Sequence, residues 1–186
     1  DRIHVSKFNH LLDVAQAQDP RNRAVIAVLL YTLIRDQEAA DLRIGDVDLD
    51  AGYLHVRVTK SHLEDSMPIC MELDTELRAW LTVYAATARR PLQPNDFLLP
   101  RRQSAGLVKD DGGLITGHNM FYDPSRPIAR VGRVAAQVLT DFGWDMRDHR
   151  GRSKMEGAHT IRRSGARALF DRLSAGSYDH SLRIVQ

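Results

Sequence analysis

With one cysteine, Cys70, the chain has no possible internal disulfide, which fits a reducing, intracellular setting. Aromatic residues are scarce at 6%, so the core must be assembled from Leu, Val, Ile and Ala on helices. No apolar run approaches the roughly 20 residues that cross a bilayer. The longest, Ala24 to Ile34, has 11 residues and is interrupted by Thr32. It reads as a buried core helix, and no membrane partner is expected. Asp1 to Pro20 mixes charge and polarity without an apolar stretch, so no secretory signal is visible there. The eight histidines and single cysteine show no zinc-type spacing, and neither a metal nor another cofactor is expected.

A large net charge is missing as well, since the formal total is only +2. Its distribution is more informative. From Arg126 to Gln186 there are 12 Lys and Arg against 6 Asp and Glu; the preceding residues hold 14 against 18. The last third is therefore basic and the rest acidic, as expected of a chain with one polyanion-facing surface. A solvated basic face without a partner gives the same counts. The 186 residues, 43% of them hydrophobic, supply one sizeable core and leave too little for two comfortable domains.

Periodicity predicts a mainly helical α+β fold. Ser6 is placed to cap a helix carrying Phe8, Leu11, Leu12 and Ala15 on one face, which Asp19-Pro20 ends. A second helix runs from about Asn22 to Ile34 and is apolar nearly all round, hence central. Asp36 to Leu42 is helix-like. The period then changes to two. Val47 to Asp50, the turn Ala51-Gly52, Tyr53 to Val58, a polar turn over Ser61 to Asp65 and a return strand over Ser66 to Met71 predict a small three-stranded antiparallel sheet, with Pro68 on an edge. A helix capped by Asp74 follows, with Leu77, Leu81 and Tyr84 aligned, until Arg89-Arg90-Pro91. Phe97 to Pro100 is a short buried segment, and Arg101 to Tyr122, rich in glycine and polar residues, reads as loop. Ile128 to Phe142 is amphipathic helix with Val131, Val134, Ala135, Val138 and Leu139 as its stripe. Asp145 to Gly157 is charged loop, His159 to about Leu173 is helix, and a last helix begins near Tyr178.

Three groups of residues could carry chemistry. Arg35 follows the apolar helix directly, so its guanidinium is held at the mouth of the core, where a planar fork of donors suits a phosphate. On its own, a structural salt bridge to Glu38 or another carboxylate accounts for it better. His159 and Arg162, three apart on a helix, share a face and can reach one anion near a helix start; such pairs also arise by chance. Lys60, in Thr59-Lys60-Ser61-His62 at the tip of a hairpin, is either a solvated surface lysine or a proton donor entering a DNA groove.

Order and spacing join these groups. Thr32-x-x-Arg35-x-x-Glu38 after a buried helix, Lys60 on the next hairpin, and His159-x-x-Arg162 far downstream together resemble the tyrosine recombinase family of phage-type integrases. The likeness covers essentially the whole chain. It implies a tyrosine-recombinase catalytic fold in which Arg35, Lys60, His159 and Arg162 are catalytic and Glu38 is positioning. The chemistry implied is DNA cleavage and rejoining through a 3′-phosphotyrosyl bond, giving site-specific integration or excision. Implied partners are double-stranded DNA and, for the full-length protein, three further copies in a tetramer on DNA, in the bacterial cytoplasm at the nucleoid. Arg147, Arg150, Arg152, Lys154 and Arg163 are the expected DNA contacts. A non-cutting DNA-binding module of the same fold is the alternative.

Two departures from the family pattern leave the catalytic groups intact. Leu33 stands where the family usually has glycine two residues before its first arginine, and Arg163 stands where a histidine often follows the second. A third concerns the nucleophile. Tyr178 is only 16 residues beyond Arg162, where the family has a short link, and is not expected to be the attacking tyrosine. Residues 1–186 thus read as a single catalytic domain, without the separate N-terminal DNA-binding domain and ending before the nucleophile, and are expected to be inactive and monomeric alone.

Overall fold

The computed structural model describes residues 2–57, 64–145, 151 and 157–175. These form helices α1 (Phe8–Gln18), α2 (Pro20–Thr32), α3 (Asp36–Asp41), α4 (Met71–Thr87), α5 (Val131–Asp141) and α6 (Gly157–Ala175). The strands are β1 (Val47–Asp48), β2 (Tyr53–Arg57), β3 (Glu64–Pro68), β4 (Pro100–Lys109) and β5 (Ile115–Pro127). They fall into two compact units, residues 1–35 with 132–186 and residues 36–131. No described helix is long and apolar enough to cross a membrane.

The first unit is helical. Phe8, Leu11, Leu12 and Ala15 are buried along one face of α1, as their spacing predicts. Ser6 does not cap this helix. Val5–Lys7 form a 3-10 turn in front of it, and Ser6 bonds the His4 ring Nδ1 at 2.8 Å instead. Asp19 ends α1 in an extended conformation, and its carboxylate accepts the Arg21 N–H at 2.8 Å to cap α2, with Pro20 in the first turn. From Ala24 to Leu30 every residue of α2 is buried, so this stretch of the helix has no solvent face. In α5, Ala135, Val138 and Leu139 are buried; Val134 is half-buried.

Helix α6 lies against backbone on two sides. A Cβ at Gly157 would come within 2.5 Å of Ala136 N on α5, and one at Gly165 within 1.9 Å of Leu30 O on α2. Only residues without a side chain permit these approaches. Ser164 adds a polar tie, its Oγ accepting the Ile3 N–H at 3.0 Å and donating to Thr160 O at 2.8 Å.

In the second unit the antiparallel sheet runs in the order β1-β2-β3. Leu54 and Val56 are buried while Tyr53, His55 and Arg57 are exposed, the alternation read from the sequence. The return strand lies earlier than that reading: Glu64 pairs with Arg57 and Pro68 with Tyr53. Its end is cut short because α4 begins at Met71 after Cys70 in an extended cap. Asp74 is consequently inside the first turn, where it accepts from Arg78 Nε at 2.9 Å rather than capping. Pro68 is on an edge strand, so its missing N–H breaks no ladder. Trp80, rather than Leu81, joins Leu73, Leu77 and Tyr84 on the buried face of α4.

The segment read as loop over Arg101 to Tyr122 is a long two-stranded ribbon, β4 with β5. It turns at Asp110, whose Oδ1 accepts the N–H groups of Gly112 and Leu114 at 3.0 and 2.8 Å. Near its base, Tyr122 packs edge-on against Trp80 and Tyr84, with centroids 5.1 and 6.0 Å apart. The indole N–H of Trp80 donates to Leu98 O at 2.8 Å and the Tyr84 hydroxyl to Phe97 O at 3.0 Å, which satisfies both polar tips inside the core.

Asp96 fastens the loop after α4. Buried itself, it accepts two hydrogen bonds from Arg90, at 2.7 and 2.6 Å, and one from Gln93 N at 2.7 Å. The Arg90 bonds hold its carboxyl below the usual aspartate range. A carboxyl so lowered stabilises the fold above the ordinary aspartate pKa, and the contribution is lost as pH falls through the lowered value. Asp96→Ala is expected to cost about 2 kcal/mol, measured by urea unfolding at neutral pH. Its difference from wild type should shrink in acid.

Candidate active site

The central helix ends in an unusual way. Leu33 adopts φ 60° and ψ 14° and is the one non-glycine residue with positive φ among the described residues. The left-handed conformation is unfavourable for a residue with a side chain, and glycine is its usual occupant at a helix end. This explains in conformational terms why glycine is expected at this position. The Thr32 hydroxyl closes the last turn by donating to Val28 O at 2.6 Å. Ile34 is buried and Arg35, next in the chain, is exposed. A rigid apolar helix thus delivers the first arginine to the surface.

Helix α6 brings the other two catalytic candidates to the same unit. It begins at Gly157, two residues before His159, so His159 belongs to its first turn. Arg162 follows on the same face one turn later. Arg162 donates through Nε to the carbonyl of Leu33 at 2.8 Å, a contact spanning 129 residues of sequence. That bond ties the second arginine to the backbone two residues before the first. Arg162 is half-buried and His159 exposed. Arg163 points elsewhere: it is exposed and lines a surface cavity of about 470 Å³ with Arg2, Ala166, Arg167 and Phe170.

Glu38 is buried in α3, within the other unit. Lys60 lies outside the described residues, between strands β2 and β3 in the sequence. Arg147, Arg150, Arg152, Lys154 and Tyr178 also lie outside them. Sequence reasoning missed the Leu33 carbonyl and Gly165. The only signals were a leucine where glycine was expected and a glycine inside a helical pattern.

The chain matches the Phage integrase family over residues 1–173, nearly its whole length. It belongs to the phage integrase family. Among solved structures, the XerA recombinase resembles it with a TM-score of 0.57 and 18% identity, over 91% of this chain and 49% of that one. The lambda integrase catalytic core gives 0.56 and 13%, over 93% and 85%. A lambda integrase tetramer bound to a Holliday junction gives 0.51 and 13%, over 90% and 40%. The fold, mainly helical with small antiparallel sheets, is therefore that of the lambda integrase catalytic core. This integrase-family chain spans about half the length of the XerA recombinase. No curated protein matches it.

Proposed function

We propose that this integrase-family chain carries the arginine and histidine half of a tyrosine recombinase active site, and that the full-length protein performs site-specific recombination on double-stranded DNA. The observation that carries the reading is the bond from Arg162 Nε to Leu33 O. It holds the second arginine of the family pattern beside the chain segment bearing the first. Membership of the family and likeness to an integrase bound to a Holliday junction support DNA as substrate and a tetramer as the working assembly.

In this reading a tyrosine other than Tyr178 attacks a backbone phosphorus. A 3′-phosphotyrosyl bond forms and the bond to the 5′-oxygen breaks. Lys60 protonates that leaving oxygen, and His159 accepts the proton of the attacking hydroxyl or bonds a phosphoryl oxygen. Arg35 and Arg162 stabilise the charge gathered on the non-bridging oxygens in the transition state. Glu38 is a positioning residue, for Arg35 or for the helix that carries His159. Another strand's 5′-hydroxyl then reverses the step, so the phosphodiester energy is conserved. Arg163 and the basic residues Arg147, Arg150, Arg152 and Lys154 contact backbone phosphates.

The test is to mix the full-length protein with nicked duplexes of randomised sequence. A protein–DNA adduct that survives denaturation is expected. Salt-sensitive binding without any adduct would favour a non-cutting module of the same fold, and neither binding nor adduct would leave only a structural role. For binding, affinity should fall steeply with salt, and Arg163→Ala should reduce the slope of log K against log salt by about one.

A further inference from the structure

We infer that Leu33 is a positioning residue, whose left-handed backbone aims its carbonyl at Arg162 Nε–H and so presents only the two terminal nitrogens of that guanidinium to a phosphate. The inference rests on the function proposed above and adds how the second arginine approaches its substrate.

Arginine offers five N–H donors in a fixed plane. A carboxylate or phosphate can bind that plane side-on, through Nε and one terminal nitrogen, or end-on, through both terminal nitrogens. With Nε committed to Leu33 O at 2.8 Å, the side-on edge is closed. No other hydrogen bond or ion pair of Arg162 is formed among the described residues, so its end-on edge remains available for a bidentate contact. The carbonyl also fixes the plane of the fork, which a surface arginine would leave free to rotate.

The backbone at Leu33 makes this possible. Were α2 to continue through residue 33, its last carbonyls would project along the helix axis. Reversal to φ 60° ends the helix and frees the Leu33 carbonyl for α6. Two neighbours flank the strained conformation. Ile34 N donates to Thr32 Oγ1 at 3.4 Å, and Leu33 Cδ2 lies 3.0 Å from where a Cβ on Gly165 would stand. The leucine side chain thus lies beside Gly165 while its carbonyl holds Arg162. Strain kept in place by surrounding contacts is characteristic of functional positions.

The test uses two readouts. Exchange of the Arg162 Nε proton is followed by NMR on ¹⁵N-arginine-labelled chain, with exposed Arg133 as the internal reference. The rate of covalent adduct formation is measured on the full-length protein at saturating nicked duplex. The Arg162 proton should exchange more slowly than that of Arg133 in wild type and in Leu33→Gly, which tolerates positive φ. Leu33→Val, β-branched and ill-suited to that conformation, should lose the protection. Its adduct rate should fall about 100-fold with DNA affinity retained, the penalty of a displaced catalytic group. Arg162→Lys keeps the charge but cannot serve the carbonyl and offer a fork together, so its rate should fall at least as far. Exchange in wild type as fast as at Arg133, or Leu33→Val reacting at the wild-type rate, would overturn the inference. If Leu33→Val does not fold, a wild-type rate in Arg162→Lys would do so. Absence of any adduct from wild type would remove the proposed function, while the exchange comparison would still decide whether Leu33 holds Arg162.

Discussion

Replacing Gly165 by alanine is expected to destabilise the chain by about 3 kcal/mol, an unusually large effect for adding one methyl group. Alanine is the better helix former by about 1 kcal/mol, so propensity alone predicts the opposite sign. Sterics decide it. The new Cβ would stand 1.9 Å from Leu30 O and 2.8 Å from Leu30 C, and neither is the end of a flexible side chain that could rotate aside. Helix α6 must lift from α2, and the bond from Arg162 to Leu33 lies on the same contact line one turn earlier. Stability and catalysis should therefore fall together. Thermal unfolding should show a drop of roughly 10 °C for a chain of this size. Gly117→Ala is the control, because a Cβ there meets nothing within 4 Å; its change should stay within about 0.5 kcal/mol. An unaltered melting temperature for Gly165→Ala would show that α6 is not seated as described.

In the full-length protein, Arg162→Ala and Arg35→Ala are each expected to slow phosphotyrosyl formation by at least about 10³-fold. Loss of one preorganised donor at a developing oxyanion costs about 10² to 10³, and loss of an arginine at a transferring phosphoryl group costs up to about 10⁵. Affinity for duplex DNA should change far less, since many phosphate contacts share that role. Single-turnover rates at saturating DNA, measured beside equilibrium binding, separate the two. Combining both substitutions should cost less than the product of the single effects if, as proposed, the two guanidiniums act on one group of oxygens. An arginine variant that loses binding and rate in equal measure would instead be a DNA contact.

Much of the helical scaffold was legible because burial imposes a period. The unbroken apolar run of α2, the stripe of α1 and the alternation of β2 all follow from one-sided or all-round contact with a core. The β4–β5 ribbon escaped for the converse reason. Most of its residues toward the turn are exposed, including Leu107, Leu114 and Ile115. No face is buried to impose alternation, and pairing there depends on backbone bonds that any sequence can make. The start of α4 was misplaced because Asp74 is equally suited to capping and to an i,i+4 pair with Arg78. Of the candidate site, spacing set His159 and Arg162 on one helix face and the family resemblance joined them to Arg35, while the bond from Arg162 to Leu33 O appeared only in the structure. Leu33 was not legible, since its part is played by a carbonyl and a φ angle, and residue type argues against both. Gly165 could be read only once its neighbour on α2 was known.

The claim that this site cuts DNA by covalent transfer to tyrosine is tested most directly by the chemistry of the ends it leaves. A denatured adduct between the full-length protein and a nicked duplex would be digested and its linkage and released strand examined. The account predicts a tyrosine joined to a 3′-phosphate and a released strand whose 5′ end accepts label from polynucleotide kinase without prior phosphatase treatment. A protein joined to the 5′ end, a released 5′-phosphate, or no covalent product on any duplex would contradict it.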